Sequence, residues 1–342
     1  MPTANQRISE YLLDEKLGGG TFGEVWRAHH HVWVDQLVAI KIPTDAQYVR
    51  NLQHEGSAIH GLVHPNIVRA IGFDPYADPP YLITEYIPGA SLRPLIAAKK
   101  LSTNDAIAIM RQVLAGLSYA HANGIVHRDM KPENILIHQR ALQDGFNVDG
   151  VVKVTDFGLG KAANKTAVGS IAYSASMNDA AGREIAGTLD YMSPEQRSGG
   201  ESDARTDLYA CGVILYELLT GEKPAGTDVP SDLNPSIPKF LDEAFRRSYA
   251  RLDKRFASAD EFAKAIYPAR TPPPLTAPTI KSSATICPSC KRGVERGDQF
   301  CMHCGTQLVA QIRRCAKCGA YPDASDVFCI FCGEPLNAIA LV

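Results

Sequence analysis

All four cysteines between Cys287 and Cys304 recur 28 residues later, between Cys315 and Cys332. No other feature limits so tightly what a segment of this chain can fold into. Each unit holds two CxxC pairs, Cys287/Cys290 with Cys301/Cys304 and Cys315/Cys318 with Cys329/Cys332, separated by ten residues. Two thiolates in one tight knuckle bind a single ion, and a second knuckle completes a tetrahedron. Tetrahedral S₄ suits Zn²⁺, with iron as the rival metal and disulfides as the other use of a clustered, even cysteine set. The N-terminus, MPTANQRISEYLLDEKL, lacks the basic start and apolar core of a signal peptide. A cytoplasmic, reducing location is therefore expected, and it favours metal over disulfides. Four thiolates fill each coordination sphere without His303. A segment this short buries little apolar surface, so zinc must supply its folding energy, about 10–16 kcal/mol per site in small peptides.

The rest of the chain differs in kind. Residues 268–286 carry five prolines, at positions 268, 272, 273, 274 and 278, and read as a linker, extended where polyproline-like and mobile elsewhere. The expected division is a large domain over 11–267, this linker, and a cysteine module over 287–336. A net charge of -2 argues against a chain built to coat nucleic acid or a membrane surface. No apolar run reaches the roughly 18 residues that span a bilayer; Leu208–Leu219, interrupted by Glu217, reads as a buried helix. From Cys287 onward six Lys/Arg face five Asp/Glu, and two Zn–thiolate sites bring that module to about -3. A protein, not a nucleic acid, is its expected partner.

Residues 11–42 alternate apolar and polar positions around a glycine cluster, as hairpin strands do. A short helical segment is expected over Tyr48–Leu62, then strands over Ile67–Phe73 and Tyr81–Tyr86. From Thr103 helical periodicity dominates through Ile107, Met110, Val113, Leu114, Leu117 and His121. Further helices are predicted over Ala204–Thr220, Pro238–Ser248 and Ser258–Ile266. A β-rich half before a helical half implies two lobes with a cleft between them. His29-His30-His31 falls on a strand, where neighbouring side chains diverge, so a solvated hairpin is expected there and not a shared ion.

Gly18-Gly19-Gly20-Thr21-Phe22-Gly23 lies between strands, Val38-Ala39-Ile40-Lys41 follows, and Glu55 is the only glutamate between Lys41 and Glu85. His127-Arg128-Asp129-Met130-Lys131-Pro132-Glu133-Asn134, Asp156-Phe157-Gly158 and Ser193-Pro194-Glu195 come next. In this order the motifs resemble the eukaryotic-type serine/threonine protein kinase superfamily over about three quarters of the chain, and the tail resembles the double zinc ribbon family. The resemblance implies an α+β fold, a bilobal kinase with a β-rich N-lobe and a helical C-lobe, plus two zinc ribbons. It implies ATP and Mg²⁺ as cofactors beside zinc, protein substrates, and autophosphorylation.

By that resemblance Gly18, Gly20 and Gly23 cover the triphosphate, and Lys41, held by Glu55, contacts its α/β-phosphates. Asn134 and Asp156 hold Mg²⁺, Asp129 accepts the substrate proton, and Lys131 neutralises the γ-phosphate. Val25, Ala39 and Leu136 enclose adenine, the backbone of Glu85 and Ile87 binds it, and Thr84 is the gatekeeper. Ordinary core packing is the other reading of Val25, Ala39 and Leu136. Asp207 and the pair Glu195/Arg255 are implied as scaffold. Lys131 and the segment Gly187-Thr188-Leu189-Asp190-Tyr191 fit serine/threonine specificity. Arg128 invites a phosphate on Thr166, Ser170, Ser174 or Ser176, with Thr188 reserved for substrate positioning.

Two departures stand out. Asn134 and Asp156 lie 22 residues apart, so residues 139–150 are expected to form an extra surface loop. Gly56 weakens its helix by about 1 kcal/mol relative to alanine, so the Lys41–Glu55 pair is expected only in an active state. A scaffold without catalysis is disfavoured by the intact Lys41, Asp129, Asn134 and Asp156. A small-molecule kinase is disfavoured by Lys131 together with Ser193–Glu195 and Asp207.

Overall fold

The alternating stretch near the N-terminus forms strands β1 (Arg7–Ile8), β2 (Tyr11–Gly20), β3 (Gly23–His30) and β4 (Leu37–Ile42). With β5 (Ala70–Asp74) and β6 (Tyr81–Glu85) they make one antiparallel sheet in the order β1-β2-β3-β4-β6-β5. Leu13, Trp26, Ala28, Val38, Ile40 and Ile83 form its apolar core. This is a computed structural model, and it describes residues 2–20, 23–45, 48–157, 189–267, 285–294, 298–309, 312, 314–322, 326–329 and 332–336. Gly158, Thr166, Ser170, Ser174, Ser176, Gly187, Thr188 and nearly all of the expected linker lie outside the described residues.

Helix α1 (Val49–Ile59) packs on β5 and β6. A Cβ at Gly56 would stand 2.9 Å from the Phe73 ring, so the glycine sets how closely this helix approaches the sheet. A second antiparallel sheet follows, β7 (Gly89–Ser91), β8 (Ile135–His138) and β9 (Val152–Val154). Short α2 (Leu92–Ala97) leads into α3 (Thr103–Ala122), which starts where Ser102 and Asp105 form a reciprocal capping box. The helical half continues with α4 (Ala141–Asp144), α5 (Pro194–Arg197), α6 (Ala204–Thr220), α7 (Pro230–Leu233), α8 (Lys239–Ser248) and α9 (Ala259–Ile266). Helix α6 is buried without interruption from Thr206 to Leu218, and it ends at Gly221 in the left-handed region. α3 packs against α6 and α9, and α8 against α6.

Residues 139–150 lie at the surface as expected, eight of the twelve exposed, but they are not all loop. They contain α4, and Ala141 and Phe146 are buried. The cause lies in α3, where the buried Gln112 amide donates to the carbonyls of Phe146 (2.7 Å) and Val148 (3.1 Å). Its oxygen accepts from Asn66 Nδ2 (2.8 Å), so a polar group inside the core is satisfied only with the insertion folded against it.

The chain divides into two units, Met1–Ala269 and Arg270–Val342. In the second, β10 (Thr285–Ile286) pairs with β11 (Gly293–Val294). The 28-residue repeat of the sequence is also a repeat of structure. Cys301 N–H donates to Thr306 O, and Cys329 N–H to Glu334 O, both at 2.8 Å. Gly305 and Gly333 close the two knuckles at φ 73° and 72°, a conformation that favours glycine. Within this second unit the two cysteine repeats touch where Phe300 meets Tyr321 edge to face and Gln299 donates to Pro322 O.

Candidate active site and metal centres

The sheet register places Lys41. Val25 pairs with Lys41 and Ala39 with Thr84, so Val25, Ala39, Lys41 and Thr84 share one face of the sheet. The opposite face carries the core residues Trp26, Val38 and Ile40. Val25, Ala39 and Leu136 are each only half-buried, which separates them from the packed core. Lys41 Nζ reaches Glu55 of α1 at 2.7 Å and Asp156, just past β9, at 3.3 Å. The Lys41–Glu55 pair is thus formed despite Gly56. Burial disfavours every charge here. Asp156 and Glu55 nevertheless hold the Lys41 ammonium above its ordinary pKa, and Lys41 holds Asp156 below its own. Burial prevails at Glu55 and pushes its carboxyl up to about 7.

Gly18, Gly20 and Gly23 sit at the closed end of the β2–β3 hairpin, with Gly20 opposite Gly23. A Cβ at Gly23 would lie 2.5 Å from Ile42 O, so only glycine fits; at Gly18 it would meet nothing within 4 Å. The Glu85 side chain accepts from Lys153 Nζ (2.9 Å) and from Arg69 N–H (2.9 Å). Its backbone N–H bonds Arg69 O at 3.0 Å, and Ile87 two residues on is buried.

The loop between α3 and β8 is held from beneath. Buried Asp207 on α6 accepts from the N–H groups of His127 (2.9 Å) and Arg128 (2.7 Å) and bonds His121 Nε2 (2.7 Å). His127 accepts from Asp129 N–H at Nδ1 (3.2 Å) and donates from Nε2 to Thr155 O (2.8 Å). Arg128 and Asp156 take positive φ of 67° and 64°, a strained geometry for side chains of this kind. Lys131 Nζ stands 3.1 Å from Asp129 Oδ2. Asn134 Nδ2 donates to Asp129 O (2.7 Å) and Oδ2 (3.2 Å), leaving its amide oxygen as the atom able to ligate. Thr155 N–H donates to Asn134 O (3.0 Å), which sets Asp156, the next residue, beside the loop of Asp129; ammonium, carboxylate and amide groups of this kind suit a polyphosphate with a hard cation. Glu195 and Arg255 are paired twice, at 2.6 and 2.8 Å.

The eight thiols gather into two groups, each with its sulfurs within 4.8 Å of one another. The closest pairs are 3.5–3.7 Å apart. A tetrahedron with Zn–S of about 2.3 Å has edges of about 3.8 Å, so the donor set fits zinc, and these cysteines are unbridged. The Thr306 hydroxyl and N–H pull the Cys304 thiol down to about 6, toward the thiolate that a metal requires.

Glu10, His30 and His31 also bring ligand atoms within 4.8 Å. His29 and His30 diverge as expected, with His29 on Asp14 (2.6 Å), but the His30 and His31 rings stack, because β3 ends at His30. His30 is buried and so does not fit a solvated hairpin. Its Nδ1 accepts from Val32 and Trp33 N–H, which fixes the proton on Nε2 and leaves the neutral ring no lone pair for a metal.

Arg93, Gln112 and Gln196 were not singled out from sequence, and no local signal marks them. Gln196 Nε2 donates to Arg128 O (2.8 Å), tying α5 to the Asp129 loop. Arg93 joins Glu133, Glu217 and Tyr191 beside that loop.

Known proteins align with both units. Residues 11–268 match the protein kinase domain model, and residues 287–333 match the double zinc ribbon model. The chain is 31% identical over 273 residues to the probable serine/threonine-protein kinase PknB of Lactococcus lactis, covering 73% of this chain and 40% of that protein. It is 33% identical over 268 residues to the serine/threonine-protein kinase PrkC of Bacillus subtilis, covering 72% and 38% respectively. It thus spans about two-fifths of the length of these curated relatives. Among solved structures, the PknI kinase domain of Mycobacterium tuberculosis superposes with a TM-score of 0.59 at 23% identity, over 78% of this chain and 99% of that one, a likeness of fold. Among the described residues no helix is long and apolar enough to cross a membrane.

Proposed function

Because this chain belongs to the protein kinase family, we propose that it transfers the γ-phosphoryl group of Mg-ATP to serine and threonine hydroxyls of proteins, its own included. The observation that carries this reading is the pair of networks Lys41–Glu55–Asp156 and Lys131–Asp129–Asn134, linked where Thr155, next to Asp156, donates its N–H to Asn134 O at 3.0 Å. When bound, Mg-ATP supplies the phosphoryl group and the cationic charge that spreads over it. Lys41, braced by Glu55, holds the α/β-phosphates, and the backbone of Gly18, Gly20 and Gly23 covers them. Val25, Ala39 and Leu136 flank the adenine, with the backbone of Glu85 and Ile87 as its hydrogen-bonding edge. Asn134 and Asp156 hold the cation. Asp129 orients the acceptor hydroxyl and takes its proton, while Lys131 offsets charge on the transferring group. Positioning of this order is worth roughly 7–11 kcal/mol of a barrier. Residues 11–267 do the chemistry, and residues 287–336 form a zinc-folded module that recruits protein partners.

Incubation of the purified chain with labelled ATP and Mg²⁺ tests the reading. Phosphoserine or phosphothreonine should form on the chain itself, and Asp129→Asn should abolish transfer while nucleotide binding persists. Transfer that survives Asp129→Asn rules the assignment out.

A further inference from the structure

The two cysteine repeats match residue for residue, yet one of their faces is covered in the first and open in the second. Leu308 N–H donates to Gln299 O and Leu336 N–H to Val327 O, both at 2.9 Å. The bridge between Phe300 and Gln307 likewise recurs between Phe328 and Pro335. Gln299 and Phe300 of the first repeat therefore correspond to Val327 and Phe328 of the second. In the first repeat, Tyr321 stands against the Phe300 ring with centroids 5.6 Å apart and planes at 80°. The buried Gln299 amide beside it donates to Pro322 O. In the second repeat Val327 is 68% exposed and Phe328 57%. Two exposed apolar side chains are ordinary on a protein surface; here the first repeat shows what such a pair accepts.

The occupant of the first face is a short piece of chain, Tyr321-Pro322, and the proline keeps the tyrosine before it extended. A second copy of this chain offers no such piece. The counterpart of Tyr321-Pro322 in the first repeat is Gly293-Val294, which has no ring and is paired with β10. The Tyr321-Pro322 of every copy is already engaged by its own first repeat. The open face also differs in one side chain, because Val327 replaces the amide donor of Gln299 with a branched apolar group. It matches an apolar side chain where Gln299 matches a carbonyl.

We infer that Val327 and Phe328 form a docking site for an extended segment of another protein, in which an aromatic residue is followed by an apolar one. The inference rests on the recruiting role proposed for residues 287–336 and names the chemistry of what is recruited. The incoming ring packs edge to face on Phe328 as Tyr321 does on Phe300, and the next side chain covers Val327.

The test uses the zinc-loaded full chain with fluorescein-labelled glycine-serine peptides that carry Tyr-Val or Ala-Ala at their centre, read by anisotropy. Tyr-Val should bind more tightly than Ala-Ala by roughly tenfold. Phe328→Ala and Val327→Asp should each erase that difference, whereas Phe328→Trp, which keeps a ring, should retain it. Each variant should still hold about two zinc ions per chain. If Phe328→Ala sheds zinc, Phe328→Leu, which keeps an apolar side chain without a ring, takes its place. Equal binding of the two peptides by wild type, or a preference unchanged in zinc-loaded Phe328→Ala and Val327→Asp, overturns the inference alone. A wild-type dimer that Phe328→Ala dissolves in sedimentation does so too, because a second copy then fills the site. Proteins retained from lysate by wild type and Phe328→Ala alike place recruitment on another surface and also overturn it. A zinc-loaded chain that retains no protein released by chelation overturns the recruiting role as well.

Discussion

At the scale of single residues, chemistry is set by neighbours distant in the chain. Glu55 illustrates this. Burial raises its carboxyl from an ordinary 4.5 to about 7. Below 4.5 the folded and unfolded chains both hold the proton. Between 4.5 and 7 the folded chain keeps a proton that the unfolded chain has lost, so this group's contribution to stability falls as pH rises through that window. The loss is on the order of 3 kcal/mol when complete. Glu55→Gln removes the titration. Its Tm relative to wild type should therefore rise between pH 5 and pH 8, and a difference independent of pH would contradict the assigned burial effect. Such a shift follows from where α1 packs, not from the identity of Glu55 alone.

At the scale of elements, helix propensity and packing give opposite answers at Gly56. Propensity favours alanine there by about 1 kcal/mol. The packed helix leaves no room for a Cβ, which would meet the Phe73 ring at 2.9 Å. Overpacking of this kind costs about 1–3 kcal/mol, so Gly56→Ala should lower stability in urea unfolding, and a stabilised variant would mean that Phe73 yields freely. The long helices were legible because apolar spacing persists over several turns: α6 was expected over Ala204–Thr220 and is found there, and α3 begins at the expected Thr103. Elements such as β7, α2 and α4 are too short for periodicity to register. The segment just after α4 is held by Gln112, buried in α3, which donates to the Phe146 and Val148 carbonyls.

For the whole molecule, the two units draw on different sources of stability: an apolar core in one, and metal–thiolate bonds in the other. Chelation should release about two zinc ions per chain and unfold residues 287–336, followed by metal analysis and tryptic cleavage. Nucleotide binding by residues 11–267 should persist, because Leu117, Phe157 and Leu215 belong to an apolar core that needs no metal. Loss of ATP binding on chelation would show that the units depend on one another. The sequence by itself determined the zinc-binding cysteines, the order of the kinase motifs and the long helices, since each depends on local spacing or on a residue type that few others can replace. Only the tertiary structure decided that Val25, Ala39, Lys41 and Thr84 share one face, that Asp207 carries the Asp129 loop, and that Arg93 occupies the carboxylate pair beside it. Those facts join residues 16 to 124 positions apart, and a contact between distant residues is fixed by strand register and helix packing, which no local stretch of chain encodes.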